Sequence, residues 1–287
     1  MAISFWIILK IFIFLIGFIL LFSLMQFLIS IHPPRYYDHS TPGDYDLKYE
    51  NVSFTTSDGI KIKGWLITSK NANGTIVIGH GYPFDKGNIL HAVIFLYPNY
   101  NLLLYDHRYF GESSGSITTV GIREVDDVKA AINFVHERFN EDEPIALFGF
   151  SLSASAMLMA KSKVKAIIAD SPYADLELMI KHVYSIFGPF KYPFVKVTKI
   201  LGKIFFKIDP KKVSPAEAIK DINIPIFVIH GEKDTQIPVE NAYKLKASNP
   251  DIEFWIVPES DHGQAYALSK GEYERRIKSF LKKHMDS

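Results

Sequence analysis

The sequence predicts an α/β domain on a mostly parallel sheet, preceded by a segment able to cross a bilayer. Three observations carry this. Ile11 to Ile31 reads IFIFLIGFILLFSLMQFLISI, without a charge. Beyond residue 50, short apolar runs alternate with stretches of helical periodicity. Several of those runs end in Gly, Ser, Asp or His, at the strand ends where parallel sheets place ligands.

The apolar segment is long enough, at 1.5 Å per residue, for a hydrocarbon core of about 30 Å. A secretory signal has a shorter apolar region and a small-residue cleavage site, and Ile31-His32-Pro33-Pro34 does not resemble one. The alternative is a buried core helix, but the segment is apolar on every face. Residues 1–31 are therefore expected to be a single-pass membrane anchor, with the bilayer met through 11–31. Residues 32–50, with Pro33, Pro34, Pro42 and Gly43, read as a linker. Lys10 on one side against Arg35 and Lys48 on the other gives a weak vote for a cytoplasmic domain.

The remaining residues, 51–287, suit one large domain. The chain has no cysteine, which excludes disulfides, thiolate metal sites and a cysteine nucleophile. Net charge is +1 with mixed signs, so nothing marks a nucleic-acid binder. Neither metal nor cofactor is expected. Val52–Thr56 and Lys61–Thr68 flank Ser57-Asp58-Gly59, a hairpin signal. Buried strands are expected at Thr75–Gly79, Leu102–Tyr105, Ile145–Phe150, Ala166–Ala169, Ile226–Ile229 and Phe254–Val257. Helices are expected over Val120–Phe139 and Tyr273–Lys283. Residues 173–210 break the rhythm: aromatic and apolar, they separate two strands without supplying one. Such an insertion reads as a lid of short helices or as an ordinary pair of packed surface helices.

Ile145 to Ser153, IALFGFSLS, runs a strand into Gly149-Phe150-Ser151, and a helical stretch follows. That is the setting of a nucleophile elbow, with Ser151 as nucleophile. Ser153 stands where glycine is usual. A serine hydroxyl needs a base to take its proton, and the base needs a carboxylate to orient it. The strand at Ile226–Ile229 leads to Asp234, and the strand at Phe254–Val257 leads to His262. This gives the order Ser, Asp, His, with Asp170 as the rival acid. The strand Thr75–Gly79 ends in His80-Gly81-Tyr82-Pro83. Proline has no N–H, so the backbone N–H groups of Tyr82 and Leu152 are the expected oxyanion donors.

Together these residues resemble the α/β-hydrolase superfamily, and within it the membrane-anchored serine hydrolases related to Bem46. The carriers are His80-Gly81, the stretch Asp106 to Gly115 (DHRYFGESSG), Gly149-Phe150-Ser151-Leu152-Ser153, Asp170-Ser171-Pro172, His230-Gly231-Glu232-Lys233-Asp234 and Asp261-His262. The resemblance covers about Val52 to the C-terminus. It implies the α/β-hydrolase fold and a structural rather than catalytic role for Asp106, Arg108 and Gly111. The expected reaction is cleavage of a carboxylic ester or thioester through an acyl-serine, on a small ester or an acyl, lipid-like substrate. A serine peptidase of the same fold and a non-catalytic interaction protein are the alternatives.

Overall fold

The apolar runs become strands because their side chains are covered on both faces. In the computed structural model, which describes residues 2–285, these strands are β1 (Glu50–Thr55), β2 (Lys61–Ile67), β3 (Thr75–Gly79), β4 (Asn101–Tyr105), β5 (Ile145–Phe150), β6 (Ala166–Asp170), β7 (Ile226–Gly231) and β8 (Glu253–Val257). The helices, in chain order, are α1 (Ala2–Ile31), α2 (Lys86–Val93), α3 (Glu124–Arg138), α4 (Leu152–Met159), α5 (Leu176–Val183), α6 (Lys191–Phe206), α7 (Pro215–Ala218), α8 (Glu240–Ser248) and α9 (Ala265–Met285).

Among the described residues eight strands form one sheet, in the order β1-β2-β4-β3-β5-β6-β7-β8. β1 and β2 make the expected antiparallel hairpin, and β2 is antiparallel to β4. Every later pair is parallel. Side chains alternate across the strands, so one run feeds two cores. Val77, Leu103 and Leu147 pack with Val128, Ile132 and Met157 from α3 and α4. Ile76, Leu102 and Phe148 pack with Leu90, Ile277 and Leu281 from α2 and α9. This is the α/β-hydrolase fold.

Strand positions match the expectation to within about two residues. The helix expected from Val120 begins instead at Glu124. The cause is the Glu124 carboxylate. It accepts hydrogen bonds from the hydroxyls of Thr118 and Thr119 at 2.6 Å and from the N–H groups of Thr119 and Gly121 at 2.8 Å. Those bonds hold residues 118–121 as a loop, with Val120 at φ 53.

The chain divides into two compact units. One holds the sheet and runs over Pro34–Ala174 and from Ser214 onward. The other joins the N-terminal residues, up to Pro33, to the insertion Asp175–Val213. Within it α1 is long and apolar enough to cross a membrane, a test that a signal sequence also meets. It begins before Lys10, so the helix is longer than the uncharged run. Most of it is exposed, which removes the core-helix alternative.

The last part of α1 packs on the insertion through aromatic rings. Phe18 and Phe22 meet Phe194 at centroid distances of 6.0 and 5.8 Å, and Phe27 meets Phe205 at 5.1 Å. Phe187 stacks on Phe194 at 4.3 Å, and Tyr184, Phe194 and Val195 are buried. The Tyr184 hydroxyl is satisfied by Thr198 Oγ1 at 2.6 Å. Phe194→Ala removes the ring at the centre of this small core, a change that costs about 3–5 kcal/mol in larger ones. Native-state proteolysis of the full chain is expected to cut within 175–213 on the order of a hundredfold faster in this variant; an unchanged rate would show that the cluster does not hold the insertion together.

Candidate active site

The site is built where β5, β7 and β8 end. β5 turns into α4 at Ser151, whose backbone is forced to φ 53 and ψ −110. Its N–H donates to Asp170 O at 2.8 Å and its carbonyl accepts from Ser155 N–H at 3.1 Å. A turn this sharp brings the start of α4 onto β5: a Cβ at Gly149 would lie 2.5 Å from Ala154 Cα.

Ser153, the departure from the usual glycine, fits for two reasons. A Cβ at position 79 would lie 1.8 Å from Ser153 Oγ, so the neighbouring strand makes room by ending in Gly79. The hydroxyl also has a partner. It lies 3.0 Å from His107 Nε2, while His107 Nδ1 lies 3.2 Å from Asp127 Oδ2. Asp127 further accepts from Arg108 N–H and Nε–H at 2.9 Å, and Arg108 reaches Asp58 at 2.8 Å. Ser153, His107 and Asp127 form a Ser-His-Asp arrangement with no exposed surface, so it is a buried polar network and not a second reaction centre. Asp106 is likewise structural: it takes Lys86 Nζ at 2.7 Å and the N–H of Glu112 at 2.9 Å.

Three expected residues come together. His262 Nε2 lies 3.0 Å from Ser151 Oγ, and His262 Nδ1 lies 2.7 Å from Asp234 Oδ2. The network assigns the tautomer: Nδ1–H donates to the carboxylate, leaving Nε2 to accept from the serine. Asp234 is held in turn, since its Oδ1 accepts from the N–H groups of Gln236 at 3.0 Å and Ile237 at 2.7 Å. Gly263 follows the histidine at φ 72, and a Cβ there would lie 2.9 Å from the Phe150 ring. That ring stands 5.1 Å from the imidazole.

Asp170, the rival acid, is used elsewhere. Tyr273 donates its hydroxyl to Oδ2 at 2.7 Å and Ser171 donates to Oδ1 at 2.9 Å. Burial pushes the Asp170 carboxyl above the usual carboxylate range. The expected oxyanion donors lie on segments next to Ser151. Leu152 opens α4, so its N–H has no acceptor within the helix. Tyr82 follows Gly81, at which a Cβ would be 3.2 Å from Ser151 Cβ. His80 fixes that loop: Nδ1–H donates to Gly81 O at 2.8 Å, and Nε2 accepts from His107 N–H at 3.0 Å. Burial keeps His80 neutral by pulling its pKa down to about 3.

Two contributors were quoted with the motifs but given no role by sequence reasoning. Asp261 Oδ1 accepts from Thr235 N–H at 2.8 Å and from His262 N–H at 2.7 Å, clasping the loop after β7 to the loop after β8. His230 is fully buried, donates from Nε2 to Ile237 O at 2.8 Å, and stands 3.4 Å from Asp234 Oδ2. Its place in the His230-to-Asp234 stretch was the only signal, and it named no contact.

A serine on an elbow, bonded to a histidine that is bonded to a buried aspartate, on this sheet, defines an α/β-hydrolase. Residues 116–287, more than half of the chain, match the profile of the prolyl oligopeptidase family, and the chain belongs to it. The uncharacterised protein YqkD of Bacillus subtilis is 28% identical over 240 residues, covering 80% of this chain and 78% of that protein. The alpha/beta hydrolase domain-containing protein WAV2 of Arabidopsis thaliana is 27% identical over 263 residues, covering 85% and 82%. The solved structure of the Pyrococcus furiosus esterase Pf2001 superposes with a TM-score of 0.74 at 29% identity, covering 89% of this chain and 98% of that one. These comparisons support a hydrolase.

Two outcomes follow from the geometry. Asp234→Asn is expected to lower kcat by about 10⁴, the loss typical of a neutralised triad aspartate, and Asp170→Asn by far less; the reverse ranking in steady-state assays would move the acid to Asp170. Gly79→Ala is expected to destabilise the fold by about 3 kcal/mol or more through overpacking. Adding Ser153→Gly should recover part of that loss in denaturant unfolding, because the clash is with the Ser153 side chain; a double variant no better than Gly79→Ala would refute it.

Proposed function

We propose that this protein is a serine hydrolase that cleaves carboxylic esters or thioesters through an acyl-serine intermediate on Ser151. The observation that carries the reading is the continuous hydrogen-bond chain from Ser151 Oγ through His262 to Asp234. His262 Nε2 takes the hydroxyl proton as Ser151 Oγ attacks the substrate carbonyl. Asp234 stabilises the imidazolium that forms and does not itself take the proton. The N–H groups of Tyr82 and Leu152 receive the charge that develops on the former carbonyl oxygen. Collapse breaks the acyl–oxygen or acyl–sulfur bond, and His262 returns the proton to the leaving alcohol or thiol. Water then repeats the sequence on the acyl-serine and frees the acid.

Residues 11–31 serve in this proposal as a single-pass anchor in the bilayer, with Lys10 reaching back toward the headgroups along its aliphatic stem. An acyl or lipid-like ester fits an enzyme held at that surface, and the likeness to an esterase supports an ester substrate. The family match favours a second reading, a serine peptidase. The test compares p-nitrophenyl esters of increasing acyl length with matched acyl-amino-acid p-nitroanilides. Esters are expected to be the better substrates. kcat/KM should rise by at most about fourfold per added CH₂, the equivalent of 0.8 kcal/mol, and turnover should vanish in Ser151→Ala. Faster anilide hydrolysis would move the function to a peptidase, and activity that survives Ser151→Ala would sink the assignment.

A further inference from the structure

The unit formed by α1 and the insertion carries a surface that the hydrolase chemistry does not use. Along α6, Tyr192, Lys196, Ile200, Lys203 and Ile204 are spaced so that they fall on one side of the helix, and Lys207 follows at its end. All six are exposed. The turn that precedes α6 adds Ile186 and Phe190, at 79% and 78% exposure. Large apolar side chains left this open, interleaved with lysines that make no salt bridge among the described residues, are costly in water and favourable at a headgroup boundary.

Charge points to the same partner. Residues 175–213 carry eight lysines against Asp175, Glu177 and Asp209, a net +5 in a chain whose total is +1. The rest of the protein is therefore net negative, and the basic charge is concentrated on the element with the exposed apolar residues. An anionic bilayer surface complements both features.

The packing of α1 supplies the third argument. Residues 11–31, the proposed span, rise about 32 Å, enough for a hydrocarbon core of about 30 Å, so the span reaches the headgroups near Ile31. α6 packs along the second half of this span: contacts run in the same sense along both helices, from Phe18 with Phe194 to Phe27 with Phe205. α6 thus runs toward the end of α1 that meets the headgroup region.

We propose that the insertion is itself a membrane-docking element, with Ile186, Phe190, Ile200 and Ile204 entering the acyl boundary of an anionic bilayer and the lysines meeting its phosphates. This rests on the reading of α1 as a membrane span. The absence of cysteine makes the test direct. Single cysteines are placed in the full chain by Phe190→Cys, Ile204→Cys, Phe14→Cys in α1 and Asp142→Cys on the exposed surface of the sheet-bearing unit. Each is labelled with an environment-sensitive fluorophore and reconstituted in vesicles of equal parts phosphatidylcholine and phosphatidylglycerol. The measurement is the loss of emission when the phosphatidylcholine carries brominated acyl chains. Probes at 14, 190 and 204 are expected to lose most of their emission, and the probe at 142 to keep it. Loss at 14 alone, with 190 and 204 behaving like 142, would overturn the docking face while leaving the anchor in place. Loss at none of them would overturn both. Ester turnover by the same four variants reads the hydrolase assignment independently, because none of these residues belongs to the proposed catalytic machinery.

Discussion

The candidate site depends on one backbone constraint: β5 must turn into α4 at a single residue. Ser151 is held at a positive φ that an L-residue rarely adopts, at a cost on the order of 1–3 kcal/mol. The surroundings supply the restraint. Its N–H is fixed to the end of β6 and its carbonyl to the first turn of α4. The bend also crowds α4 against β5 and β3, which is why these strands carry glycine at 149 and 79. The result lifts the serine oxygen above the strand ends, where the loops after β7 and β8 can bring their side chains to it. Its position is set by backbone bonds rather than by the rotamer of a long side chain, so the serine is preorganised.

His262 and Asp234 come from two different loops, and their register is a second requirement. A 2.7 Å bond between His262 and Asp234 survives only if the two loops do not slide. Asp261 meets that requirement by bonding the backbone of both, at Thr235 and at His262. Bonds from the Thr235 and His262 N–H groups hold the Asp261 carboxyl below the usual carboxylate range, so the clasp stays charged at neutral pH. Beneath the elbow, the chain from Ser153 through His107, Asp127 and Arg108 to Asp58 ties α4 to the loops after β4 and β1. A buried polar chain is stabilising only when each member is satisfied. Here each has a partner at 3.2 Å or less.

Much of this was legible in the sequence, for identifiable reasons. Parallel strands buried on both faces leave uninterrupted apolar runs, and Thr75–Gly79 and Ile145–Phe150 were read to the residue. Ser151, Asp234 and His262 were expected together because each follows such a run at the same end of the sheet, and the structure brings them within hydrogen-bond distance. The start of α3 was misplaced because apolar periodicity cannot register a glutamate that bonds backward to Thr118, Thr119 and Gly121. Ser153 looked like a weakness of the motif. Its compensation lies at Gly79, more than seventy positions away and on a neighbouring strand, and no local pattern joins the two.

The union of α1 with the insertion was equally beyond local reading, and it bears on what the N-terminal helix is. A signal sequence need only be apolar, and nothing in the mature protein depends on it once it is removed. In this chain Phe22 is a ring partner of Phe187, Phe194 and Tyr184, and Phe27 of Phe205 and Phe206. Cleavage after the helix would strip one side from that cluster and turn buried Phe194 outward. Aromatic side chains of this size each bury on the order of 150–250 Å², and a three-element unit has little other core to replace the loss. The insertion thus shares its small core with α1, and the anchor proposed above is a helix whose retention keeps that core whole.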